Sequence, residues 1–127
     1  PVVNKSIKYL KKYDFSTFKK KDSLFAMTGH VIYKSLDKIN TATHSSTVIH
    51  FIRNNMGFKN IIISDDLSMK SLKNQMKQNT IKTFESGCNI ALHCNGNINE
   101  MKIVAENSPL ISSFILKKTS QFYKILS

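Results

Sequence analysis

Apolar and polar positions along the chain switch repeatedly between a helical and an extended period. From Ile7 to Phe18 apolar residues recur at helical spacing (Ile7, Leu10, Tyr13, Phe15, Phe18) between lysines, which predicts a helix. Ser23 to Thr28 then reads as a strand that breaks at Gly29-His30. Ser46 to Met56 predicts a second helix: Ser45 or Ser46 can cap it, Val48, Ile49 and Ile52 form its apolar face, and Gly57 stops it. Ile61-Ile62-Ile63-Ser64 is a short β-branched run bounded by turn residues, the signature of a strand buried on both faces in a parallel sheet. Leu67 to Phe84 reads as a helical stretch ended by Gly87, and Cys88 to Cys94 as a third strand before a turn at Asn95-Gly96-Asn97. Asn99 to Glu106 is a weaker helix, Pro109 breaks it, and residues 110–127 form a terminal helix or tail.

Strands separated by helical stretches imply right-handed parallel crossovers and an α/β fold. Three strands make a small open sheet and cannot close a barrel by themselves.

The chemistry gathers at the strand ends. The isoleucine run stops in Asp65-Asp66, and the rim where parallel strands give way to loops is where α/β folds place reactive groups. Two readings stay open for this pair. One carboxylate can simply cap the following helix. Alternatively, one points into a pocket as nucleophile or base while its neighbour bonds backbone amides. Met27-Thr28-Gly29-His30 ends the preceding strand on the same rim, with His30 either a hydrogen-bonded structural residue or a pocket contact, and Gly29 permitting close backbone approach. His93, Cys94 and Asn95 end the third strand, and His93 reads as structural. His44 and His50 carry no visible chemistry. No Ser/His/Asp relay, glycine-rich phosphate loop or HExxH motif is present.

Bulk properties narrow the class. A length of 127 residues bounds one modest domain, and 41% hydrophobic with 21% charged residues fits a globular chain. No apolar run approaches the ~20 residues of a membrane span. The first residue is proline and no signal peptide opens the sequence, so the expectation is a piece of a longer or processed protein. The formal net charge of +11 raises an alternative, a small basic module for nucleic acid or an anionic surface. Lysine supplies nearly all of that charge, Arg53 is the one arginine, and Lys19-Lys20-Lys21 is the longest run, which favours solvated faces over a recognition patch. Cys88 and Cys94 lack metal or disulfide-scaffold spacing, so a reducing cytoplasm, with no metal and no cofactor, is the expectation.

Taken in order, four blocks resemble the bacterial family 3 β-N-acetylhexosaminidases of cell-wall recycling. They are Ala26-Met27-Thr28-Gly29-His30-Val31-Ile32-Tyr33, Thr41-Ala42-Thr43 with Ser45, Gly57-Phe58 running into Ile63-Ser64-Asp65-Asp66-Leu67-Ser68-Met69, and Ser86 to Asn95. The resemblance implies a partial (β/α)8 TIM barrel, whose complete form takes ~250 residues. This chain would supply its sixth, seventh and eighth strands, so residues 1–127 would be the C-terminal fragment of the catalytic domain. It implies that Asp65 is the nucleophile of a retaining glycosidase, forming a covalent glycosyl-aspartate. Met27 and His30 would line the sugar pocket, Asp66 would orient the loop, and a cytoplasmic, monomeric parent would release terminal β-linked N-acetylglucosamine from a GlcNAc-containing muropeptide. The family usually has Ala where Gly29 stands, Leu where His44 stands and Asp where Asn89 stands. Its Lys-His-Phe-Pro-Gly-His-Gly stretch, its acid/base loop and its substrate-clamping arginine would all precede Pro1, so the fragment alone is expected to be inactive.

Overall fold

The computed structural model describes residues 1–18 and 23–126, with side chains to residue 124; the Lys19-Lys20-Lys21 run lies outside the described residues. Three strands, β2 (Phe25–Met27), β4 (Ile61–Asp66) and β5 (Ile90–Leu92), form a parallel sheet in the order β2-β4-β5. The register pairs Met27 with Ile63, Ile63 with Ile90 and Asp66 with Leu92, with an irregularity between Ile63 and Asp66. β1 (Val2–Val3) and β3 (Ile32–Tyr33) make a second parallel pair that the apolar pattern does not announce, because two residues carry no periodicity.

The helices form where their ends can be satisfied. α1 (Ile7–Lys12) begins at Ser6, whose hydroxyl accepts from Tyr9 N, and buries Leu10 against Phe15 and Phe51. The predicted helix over residues 7–18 is therefore split. Beyond Tyr13 the hydroxyls of Ser16 and Thr17 donate back to the carbonyls of Tyr13 and Asp14, and Phe15–Phe18 tightens into a 3-10 turn. α2 (Ser46–Asn54) is capped by Ser45, whose hydroxyl accepts from Val48 N, and Gly57 at φ 76° ends the segment as predicted. Its Ile49 packs with Ile62 of β4 and Cys88, which makes α2 the cover of one sheet face.

α3 (Met76–Glu85) starts nine residues later than the apolar pattern predicts from Leu67. The Leu67 amide is spent on the Leu92 carbonyl, and the Ser68 amide and hydroxyl both go to the Asp66 carboxylate. These bonds hold residues 66–69 in a turn that a helix cannot share. α4 (Ile98–Glu106) is capped by Asn97, and α5 (Ser113–Leu126) folds back so that Phe122 meets Phe25 with ring centroids 5.8 Å apart.

The outer edges of β2 and β5 pair with no other strand among the described residues, and Met27, Ile98, Leu110 and Ile111 are exposed. Open edges beside apolar surface template further pairing. The 127-residue chain alone is expected to run in size-exclusion chromatography with light scattering as a concentration-dependent oligomer. A monomer mass across micromolar concentrations would contradict this.

Candidate active site

Asp65 and Asp66 end the central strand and point to different tasks. Asp66 is fully engaged. Its Oδ1 accepts from Ser68 N and Cys94 N, each at 3.0 Å, and its Oδ2 accepts from Ser68 Oγ at 2.6 Å. Burial pushes its carboxyl up, but these bonds and His93 outweigh it and hold the pKa below the ordinary carboxylate value. The side chain thus stitches the end of β4 to the loop after β5. Asp65 is half-buried. Its Oδ1 accepts from Asp66 N at 2.9 Å, and its other oxygen has no partner among the described residues. No helix begins until Met76, so neither carboxylate caps a helix, and that reading of the sequence is set aside.

His30 links three parts of the rim. It is 3% exposed; Nε2 lies 2.8 Å from the Asp66 carbonyl and Nδ1 2.9 Å from Thr43 Oγ1. A carbonyl only accepts, so Nε2 carries the proton and Nδ1 accepts from Thr43. Thr43 Oγ1 sits 2.9 Å from Thr28 Oγ1 in turn. The chain of bonds runs from the end of β2, through the 3-10 turn Ala42–His44, to the backbone beside Asp65. Both ring nitrogens are thereby spent inside the protein, and in this geometry His30, expected to line the pocket, fixes the Asp66 backbone.

Met27 lies 60% exposed at the end of β2 and lines an apolar cavity of about 630 Å³ with Phe15, Phe18, Phe25 and Phe51. Asp65 is not in that lining, so this cavity and the carboxylate do not coincide. Among the described residues no three of His, Cys, Asp and Glu gather closely enough to hold a metal ion.

His93 behaves as a structural residue. Its ring is 5% exposed, and Nε2 meets Glu100 Oε2 at 2.8 Å. Asp37 organises the loop before α2 and was not singled out from sequence. It accepts from Ile39 N, Asn40 N, Asn40 Nδ2 and Ser45 Oγ. Burial raises its pKa, and these four bonds outweigh that and lower it to about 2. An Asp followed three residues on by Asn is a local turn signal that could have marked it.

His44 is chemically silent but not neutral for stability. Burial, then nearby His30, pushes its pKa down to about 4, and its Nε2 is buried without a partner. A histidine depressed from its unfolded value leaves stability intact above pH ~6.5 and removes it as pH falls toward the folded value. Asp37 and Asp66 are depressed carboxylates, so their contributions are lost only below pH ~4. The urea midpoint should therefore fall in two stages on acidification. His44→Leu should flatten the stage between pH 6.5 and 4, worth at most about 2 kcal/mol given the ring's partial exposure, and leave the lower stage. An unchanged pH profile in that variant would remove His44 from the account.

The model of the glycosyl hydrolase family 3 N-terminal domain matches residues 1–120. A beta-hexosaminidase from Nitrosomonas eutropha is 34% identical over 71 residues, covering 54% of this chain and 20% of that protein. One from Neisseria meningitidis is 29% identical over 100 residues, covering 75% of this chain and 28% of that protein. Among solved structures, NagZ from Neisseria gonorrhoeae in complex with zinc ion superposes with a TM-score of 0.76 at 25% identity, over 93% of this chain and 35% of that one. The chain spans roughly a fifth to a third of the length of the curated relatives it matches.

Proposed function

The chain belongs to glycosyl hydrolase family 3, its α/β sheet and helices being part of a (β/α)8 barrel, and on that premise we propose that it carries the nucleophile of a retaining β-N-acetylhexosaminidase. The observation that supports this reading most is the division of labour between the two carboxylates. Asp66 is immobilised by three hydrogen bonds, whereas Asp65, one residue earlier on the same strand end, keeps one oxygen unbonded.

In this reading Asp65 attacks the anomeric carbon of a terminal β-linked N-acetylglucosamine, and the C1–O bond to the leaving group breaks as a proton is delivered to that oxygen. Water then opens the glycosyl-aspartate and regenerates the carboxylate, with net retention. Asp66 and His30 hold the backbone at Asp65, and Met27 presents an apolar wall. The acid/base group lies outside residues 1–127, so the 127 residues alone are inactive. The substrate class is a small GlcNAc-containing glycoside of the peptidoglycan-fragment type, the parent is a monomer, and the compartment is the cytoplasm.

The test is stereochemical. Proton NMR of the reaction catalysed by the full-length protein on an aryl β-N-acetylglucosaminide should show the β-anomer of the sugar first, with the α-anomer growing only by mutarotation. An α-anomer as first product would overturn the covalent mechanism.

A further inference from the structure

At the opposite end of the strands from Asp65, a cavity of about 370 Å³ is lined by Arg53, Lys59, Gly87, Asn89 and Phe114. Arg53 projects from the last turn of α2 and is half-buried. Its Nη1 donates to the carbonyls of Phe58 and Asn60, and its Nη2 donates to Asn89 Oδ1 at 2.7 Å. These bonds use three of the five guanidinium hydrogens and leave Nε–H and one Nη2 hydrogen free. All three acceptors are neutral. Among the described residues the one ion-pair geometry is His93 with Glu100, so no carboxylate balances the guanidinium. Burial pushes the Arg53 pKa down, as expected for a cation without a counter-charge.

Two more cations close on the same place from other elements. Lys59 lines the cavity from the turn before β4, and Lys118 of α5 donates to Asn60 Oδ1 at 2.7 Å. The Phe114 ring lies 6.0 Å from both the Arg53 guanidinium carbon and Lys118 Nζ. Asn89 spends Oδ1 on Arg53 and on Ile62 N, and its amide hydrogens have no acceptor among the described residues. The walls of the cavity therefore offer donors and positive charge without a matching anion.

We propose that this cavity binds a phosphate-type oxyanion, held by the free Arg53 hydrogens, Lys59 and the Asn89 amide, with Phe114 beside it. Its volume falls within the ~300–1,000 Å³ of small-molecule sites, so both free phosphate and a small organic phosphate fit. Bound anion would offset the like charges brought together by α2, the turn before β4 and α5 and would tie α5 to the sheet.

Equilibrium dialysis of the intact chain with radiolabelled inorganic phosphate, at ionic strength fixed with sodium chloride, tests this. Saturable binding is expected, weakened by about tenfold or more in Asn89→Asp, which gives Arg53 a carboxylate in place of the ligand. Lys59→Glu, at an exposed position that leaves folding intact, should weaken it comparably, whereas Lys38→Glu should not. Competition by phenyl phosphate tighter than by inorganic phosphate assigns an organic phosphate stacked on Phe114; equal competition assigns the free ion. Absence of saturable binding, or Asn89→Asp and Lys59→Glu both binding like the unaltered chain, overturns the proposal.

Discussion

Asp65→Ala in the full-length enzyme is expected to lower turnover of an aryl β-N-acetylglucosaminide by about 10⁴-fold or more, the scale on which loss of a covalent nucleophile is felt. The fold should be unaffected. Asp65 Oδ1 accepts one bond, from the next residue's amide, and that amide sits at a half-exposed strand end where water can replace the acceptor. Circular dichroism and the urea midpoint should therefore match the unaltered enzyme within about 1 kcal/mol. A small anion such as azide, entering the space left by the carboxylate, should restore part of the activity and yield the α-glycosyl azide. Asp66→Ala supplies the contrast. It deletes three hydrogen bonds, two that hold the turn over residues 66–69 and one that joins β4 to the loop after β5, so it should cost stability as well as rate, and azide should not rescue it. Near-normal turnover in Asp65→Ala would dismiss the nucleophile assignment outright.

The asymmetry between these neighbours was only half visible in the sequence. Three isoleucines ending in a carboxylate pair placed both on a strand end, and the strand is there, two residues longer than the predicted run from Ile61 to Ser64. The different bonding of the two carboxylates goes with the irregularity between Ile63 and Asp66, where the pairing with β5 shifts register and Asp66 meets Cys94 N. A register shift has no signature in hydrophobic alternation. His30 shows the same boundary of legibility. Its place at the end of β2 followed from the strand–glycine break, but its partners, Thr43 and the Asp66 carbonyl, lie 13 and 36 residues away and come together only through the crossover. Leu67 to Phe84 failed as a single helix for a related reason. The helical pattern continues through Leu72 and Met76, yet Leu67 N is claimed by Leu92 O, a tertiary bond that overrides local periodicity. The pairing of β1 with β3 carried no signal at all.

Gly87→Ala should be the most damaging single-methyl addition, lowering stability by roughly 2–4 kcal/mol and the melting temperature by about 10 °C. Gly87 has φ +106°, where an L side chain is strained, and an added Cβ would stand 3.0 Å from Ile49 Cγ2. Ile49 cannot yield easily, since it is 4% exposed and packed between Ile62 and Cys88. The damage should travel into β5, because Cys88 N bonds Thr83 O and Asn89 N bonds Ile62 O immediately after the glycine, and these bonds set the register of the strand. Gly57→Ala and Gly96→Ala separate strain from collision. Both glycines have positive φ, at +76° and +72°, but a Cβ there meets nothing within 4 Å, so each should cost only the ~1–2 kcal/mol of the left-handed backbone. Pairing Gly87→Ala with Ile49→Ala completes the argument: removing Cγ2 should make the double variant more stable than the sum of the two single losses predicts, by an interaction energy of about 1 kcal/mol or more. Strict additivity would mean that Ile49 is not what Gly87 makes room for, and the cost would then belong to the backbone alone.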